Sequence, residues 1–220
     1  MAGVSEKKAF SGRADLVLPD GAVELHYFAY ASDMNQEQIS ARCAAAKAIA
    51  VAKLADHRIA FFGHSVTWDG AEETVLPAPG HEVWGVVYEL SPADRERLDN
   101  AQDARFDGTG SYFHTPAKVT GQDGTVYSVV LFKKDHRGSS QRPSQEYLDF
   151  IVKGAVAHSL PSAYVETLRG IESKKAEYAV PRPRQSSGDP ASGSDCSSCE
   201  DESGSPDPVI QINLGSRSDS

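Results

Sequence analysis

After Val180 the chain almost stops supplying aliphatic side chains. Pro181-Arg182-Pro183-Arg184 leads into a run of Ser, Gly, Asp and Pro that lasts until Val209. Such a segment cannot bury enough apolar surface to offset the entropy of ordering it, so residues 181–220 are expected to be a disordered acidic tail. Its terminal patch, Val209 to Leu214, reads as a partly sticky end. Residues 1–22 show no sustained period and read as a loose lead. The folded domain is thereby confined to residues 23–180, roughly 158 positions, enough for one substantial core.

Charge follows the same boundary. The net charge is −9, and between Gln185 and Ser220 seven acids face one base, Arg217, so most of the acidity belongs to the tail. An acidic balance argues against binding a phosphate backbone, and no nucleic-acid partner is expected. No window approaches the roughly 18 uninterrupted apolar residues of a membrane span: the longest candidate, Ala44 to Ala55, is broken by Lys47 and Lys53. Lys7, Lys8, Arg13 and Asp15 occupy the stretch where a signal peptide needs its apolar run, which points to a cytoplasmic location and no membrane partner. Cys43 stands alone, and Cys196 and Cys199 lie in the Ser-rich tail, so no disulfide framework is present. Oligomeric state is not legible.

Within residues 23–180, Val, Tyr, Phe and Trp concentrate in five strand candidates: His26–Tyr30, Arg58–Gly63, Val83–Leu90, Tyr112–Val119 and Val126–Lys133. Gly121-Gln122-Asp123-Gly124 reads as the hairpin connection between the last two. Ser91 caps a helix over 91–101, with Pro92 at its first position and Asp94 in its first turn. Residues 144–158 form a second helix, with Tyr147, Leu148, Ile151 and Ala155 on one face. Two more helices are read over 161–171 and 34–43. The elements do not alternate regularly, which excludes a doubly wound parallel sheet and predicts an α+β domain with a small mixed, barrel-like β-sheet and flanking helices.

Several motif-like stretches carry little. Gly63-His64-Ser65-Val66-Thr67 lacks the second glycine of a nucleophile elbow, and Trp68-Asp69-Gly70 supplies a turn where a helix should follow. The seven histidines never fall at H-x-x-x-H spacing or beside a cysteine pair, so no metal site is predicted. Cys196-x-x-Cys199 has no second pair. The informative segment is Tyr27 to Met34: an aromatic strand ends in small and polar residues and enters a helix, a geometry that aims consecutive backbone N–H groups into a cavity and suits a carboxylate. An ordinary strand-to-helix turn has the same composition.

Phe28-Ala29-Tyr30-Ala31-Ser32-Asp33-Met34 resembles the F-A-Y-G-S-N-[ML] signature of the gamma-glutamylcyclotransferase-like family. The likeness continues in order through Glu82-Val83-Trp84-Gly85-Val86-Val87-Tyr88, Leu98-Asp99, Gly110-Ser111-Tyr112 and Glu146-Tyr147, and closes at Leu160-Pro161, Tyr164 and Leu168. The resemblance implies a barrel-like mixed sheet and a cofactor-independent intramolecular cyclotransferase. Amides of the loop would hold the α-carboxylate end of a γ-glutamyl group, a glutamate would take a proton from the α-amine, and the freed amine would attack the γ-carbonyl, releasing an amine and 5-oxoproline. Five-membered closures reach effective molarities of about 10⁵ M, so positioning supplies much of the rate.

Departures from the pattern decide which residues would act. The family's glutamate position holds Gln102, whose amide can orient an amine but cannot accept its proton. Asp103 follows it, and Asp103, Asp33 or no residue at all remain open as the base, with Asp107 a weaker candidate. Ala31 replaces a glycine and would be strained if the position needs positive φ. Asp33 replaces an asparagine and would bring negative charge near a substrate carboxylate. Tyr30, Ala31, Ser32, Asp33, Met34, Tyr112 and Tyr147 form the expected substrate-binding set, with Asp103 and Gln102 as catalytic candidates. Arg105 and His114 are added polar groups that would read a distal charge, and the basic loop 133–138 reads as solvated. The alternative to a cyclotransferase is a non-catalytic module on the same scaffold that binds an amino-acid-like ligand.

Overall fold

The computed structural model describes residues 25–105, 109–134 and 138–182. The expected lead and tail, Asp107 and the center of the 133–138 loop lie outside these residues, apart from Pro181 and Arg182. Five strands close a barrel in the order β1-β3-β2-β4-β5: β1 (Leu25–Ala29), β2 (Lys47–Ser65), β3 (Gly70–Leu90), β4 (Phe113–Gly121) and β5 (Val126–Lys133). Around it lie α1 (Gln36–Arg42), α2 (Pro92–Gln102), α3 (Gln145–Ala157) and α4 (Ser162–Arg169). No described helix is long and apolar enough to cross a membrane.

β2 and β3 form one long antiparallel hairpin whose register shifts between Ala48 and Ala50, between Ala55 and His57, and between Phe62 and Ser65. Such irregularities add twist and let long strands curl into a closed sheet. One of them is occupied by Asp56, at φ 56, whose Oδ1 accepts from Gly80 N at 2.9 Å. The expected strands Arg58–Gly63 and Val83–Leu90 are only the distal and proximal ends of this hairpin. The rest is obscured in sequence by alanines in β2 and by Glu72, Glu73, Pro77 and Pro79 in β3, residues that depress the strand signal without preventing pairing.

The helices start where their caps stand. Ser91 Oγ accepts from Asp94 N at 3.1 Å and Ser144 Oγ from Tyr147 N at 3.2 Å. The helix read over 34–43 is divided: a single 3-10 turn covers Ser32–Met34, Asn35 is extended at φ −74 and ψ 124, and α1 then begins with Asn35 Oδ1 accepting from Glu37 N. An Asn side chain that can cap favors this break over a continuous helix.

Two glycines let the turn sit where it does. A Cβ on Gly85 of β3 would lie 2.2 Å from Ala29 O, so β1 can end against β3 only because that position is bare. A Cβ on Gly154 of α3 would lie 2.7 Å from both Asn35 N and Met34 C, backbone atoms that cannot move aside as a side chain does. Gly154→Ala is expected to lower unfolding free energy by about 1–3 kcal/mol, the usual scale of overpacking, as measured by denaturant titration.

Candidate functional site

The 3-10 turn follows an aromatic strand and is buried throughout: Ala31, Ser32, Asp33 and Met34 are each at most 4% exposed. Met34 N and Asn35 N return to the carbonyls of Ala31 and Ser32 at 2.9 and 3.0 Å, which leaves the leading amides of the turn without an intrahelical acceptor. Ala31 sits at φ −141, so replacing glycine there carries none of the left-handed strain its position raised.

Asp33 is the most heavily bonded side chain of the region. Its Oδ1 accepts from Gln38 Nε2 at 2.9 Å and from Arg42 Nη1 at 2.7 Å. Its Oδ2 accepts from the Tyr27 hydroxyl and from Gln102 Nε2, both at 2.9 Å. The carboxylate is thus saturated by four donors from β1, α1 and α2, and does not face a ligand. The charge anticipated near a substrate carboxylate is neutralized by Arg42. Because Asp33 offers only acceptors, Gln102 must present its NH₂ to it, which leaves Gln102 Oε1 as the acceptor end.

Gln102 and Ser32 line a cavity of about 340 Å³, closed by Tyr112, Tyr147, Glu72 and Glu73. Of the expected site residues these four, Ser32, Gln102, Tyr112 and Tyr147, come together. Tyr30, Ala31, Asp33 and Met34 lie behind the cavity wall; the Tyr30 hydroxyl donates to Phe132 O at 2.6 Å. Asp103 caps the end of α2 at φ 50 and is not a lining residue. Its carboxylate accepts from Ser111 N, Ser111 Oγ and Arg105 Nε at 3.1, 2.9 and 3.1 Å. Slight desolvation is outweighed by these bonds, which hold its carboxyl below the usual range. Arg105 is spent on Asp103, and His114 Nε2 lies 2.6 Å from Asp99 Oδ1, so neither reaches the cavity.

Glu73 is the functional candidate that sequence reasoning missed. It lies on the inward side of β3 between Ala71 and Val75, both 1% exposed, and is itself 6% exposed. An acid at the central position of an i, i+2, i+4 apolar row was the available signal, hidden because this half of β3 was not recognized as a strand. The Tyr147 hydroxyl donates to Glu73 Oε2, and the Tyr112 hydroxyl donates to Glu73 O at 3.3 Å. Burial pushes the Glu73 carboxyl up to about 7, opposed by the Tyr147 bond. Burial, reinforced by the Glu73 charge, raises the Tyr112 and Tyr147 phenols well above their ordinary value. Its neighbor Glu72 is ion-paired with Lys134. Among the described residues no group of three or more His, Cys, Asp or Glu is placed to hold a metal ion.

A larger cleft of about 760 Å³ lies over Gly63, His64, Arg142 and Lys174. Its cations face acids already: His64 and Lys174 are each 3.7 Å from Asp69, and Arg142 pairs with Glu172. The smaller cavity is the one that gathers Ser32 of the buried turn, two phenols and a buried acid.

Comparison with known proteins agrees with that choice of fold and family. The AIG2-like family model matches residues 82–168. Human gamma-glutamylcyclotransferase is 33% identical over 168 residues, covering 74% of this chain and 87% of that protein, and the bovine protein is 32% identical over 165 residues, covering 73% and 85%. A solved structure named gamma-glutamyl cyclotransferase superposes with a TM-score of 0.67 at 32% identity, covering 71% of this chain and 93% of that one.

Two expectations follow from the side chains around Asp33 and Glu73. Where the resemblance sets an asparagine and a glutamate, this chain has Asp33 and Gln102, and the two side chains touch. Gln102→Glu alone sets two carboxylates at hydrogen-bond distance and should lower stability by about 1–3 kcal/mol, whereas adding Asp33→Asn should recover at least half of that loss in a double-mutant thermal-unfolding cycle. For Glu73 the folded-state affinity for a proton exceeds the unfolded one. The native protein therefore binds more protons between about pH 4.5 and 7, and stability falls as pH rises through that window. Glu73→Gln should remove this slope, gaining up to roughly 3 kcal/mol on wild type between pH 4.5 and 7.5 in denaturant titrations.

Proposed function

As a member of the gamma-glutamylcyclotransferase family, this chain, we propose, releases 5-oxoproline and an amine from a γ-glutamyl amide or peptide in the cavity above Ser32. The observation that supports this most directly is the convergence of the Ser32 turn, the Gln102 amide, the Tyr112 and Tyr147 phenols and a buried carboxylate on one cavity. Its volume of about 340 Å³ falls in the range of small-molecule sites.

In this reading the leading amides of the turn receive the substrate α-carboxylate, since unpaired N–H groups at the start of a helical turn favor an anion. Gln102 Oε1 accepts from the α-ammonium, its NH₂ being held by Asp33. Carboxylate and ammonium fixed together leave the γ-carbonyl facing its own amine, and ring closure needs no metal or organic cofactor, only orientation and a proton acceptor. Asp103, turned to Ser111 and Arg105, leaves that acceptor to another carboxylate.

Purified protein incubated with γ-glutamyl amino acids and γ-glutamyl amines should form 5-oxoproline and free amine in equal amounts, read by mass spectrometry. Thermal stabilization by these compounds without product would instead support the amino-acid-binding module.

A further inference from the structure

We propose that Glu73, carried on β3, takes the proton from the substrate α-ammonium, and that Tyr147 holds its carboxylate in place. This assignment rests on the cyclotransferase reading and identifies a base on a different wall of the cavity from α2.

Each other carboxylate near the turn is committed elsewhere. Asp33 has both oxygens filled by four donors. Asp103 does not line the cavity and is bonded by Ser111 and Arg105. Glu72 is paired with Lys134, whose Nζ also lies 5.2 Å from the Tyr112 ring centroid. Glu73 lines the cavity and is buried, and among the described ion pairs none includes it. A buried acid left without a cation is costly, and a cavity that must strip a proton from an ammonium is where such a group has a use. Tyr147 donates to one oxygen only, which keeps acceptor capacity for the ligand. The charged and titratable groups around Glu73 are the phenols of Tyr147, Tyr30 and Tyr112, the Glu72 carboxylate, the Asp33–Arg42 pair, and Arg182, which with Arg42 lines the same cavity.

The steps balance. Glu73 accepts one proton from the α-ammonium, and the nitrogen lone pair forms a bond to the γ-carbon while the carbonyl π pair moves onto oxygen. When the tetrahedral adduct collapses, the bond from the γ-carbon to the departing nitrogen breaks, its electron pair stays on that nitrogen, and Glu73 returns its proton there. The extra proton on the ring nitrogen passes by the same carboxylate to the released amine, which leaves as an ammonium. Glu73 ends ionized, and no oxidant or co-reactant is consumed.

The test compares wild type with Glu73→Gln, Glu73→Asp and Asp103→Asn on a γ-glutamyl substrate that turns over. Glu73→Gln should lower kcat by about 10²- to 10⁴-fold with KM changed less than about threefold, and Glu73→Asp should retain part of the rate. Wild-type kcat/KM should rise with pH through a limb near 7 that is missing from Glu73→Gln. If Glu73→Gln does not fold, the wild-type profile and Glu73→Asp decide, and a flat profile between pH 5 and 8 overturns the assignment. A Glu73→Gln rate within tenfold of wild type, or loss of turnover in Asp103→Asn instead, overturns it while leaving the cyclotransferase reading intact. A wild-type protein silent on every γ-glutamyl compound overturns both.

Discussion

A carboxylate with every lone pair occupied holds this site together. Asp33 joins β1 through Tyr27, α1 through Gln38 and Arg42, and α2 through Gln102. A buried charge is tolerable only when its hydrogen-bonding capacity is met, and for Asp33 four donors meet it. The result is a turn fixed from below, so that the Ser32 side chain and the amides around it need no ordering when a ligand arrives. It also keeps the Asp33 carboxylate bonded to Arg42 and out of the cavity lining.

The fold was legible where local signals were strong. Ser91-Pro92-Ala93-Asp94 and Ser144 mark helix starts because a capping hydroxyl and a first-position proline act within one turn, and the observed helices begin one residue later. Val126–Lys133 was read to the residue, since its β-branched run is bounded by a glycine turn with Gly124 at φ 85. The first halves of the β2–β3 hairpin were not legible, because their pairing is decided by cross-strand partners far along the chain. At the site, Ser32, Gln102, Tyr112 and Tyr147 were named from the family pattern. The orientations of Asp33 and Asp103 were not, because neighbors in sequence point wherever their partners lie: Asp103 toward its donors Ser111 and Arg105, Gln102 toward its acceptor Asp33.

Asp33 and Gln102 are bonded to each other, and a second buried acid, Glu73, reaches the same cavity from β3. The cavity is lined from the Ser32 turn, from β3 and from α2, so side chains reach it from several walls. What cannot move is the close approach of α3 to the turn at Gly154, since there backbone meets backbone.

The barrel itself is unevenly closed. β2 and β3 pair along most of their length and β4 pairs with β5 from Phe113 to Thr120, but β1 meets β5 only at Tyr27 and Val130, and β2 meets β4 only at Ala52–Gly121 and Lys53–Thr120. These junctions are seams between two stiff sheets, bridged beyond the ladder by the Tyr30 hydroxyl on Phe132 O. At such seams the fewest ladder bonds hold neighboring strands together, the condition that favors local opening. Tyr112 enters the cavity from the β4 side, while Tyr30, next to the floor, is tied to β5, so an opening of the β4–β5 hairpin would reach both the cavity wall and its floor.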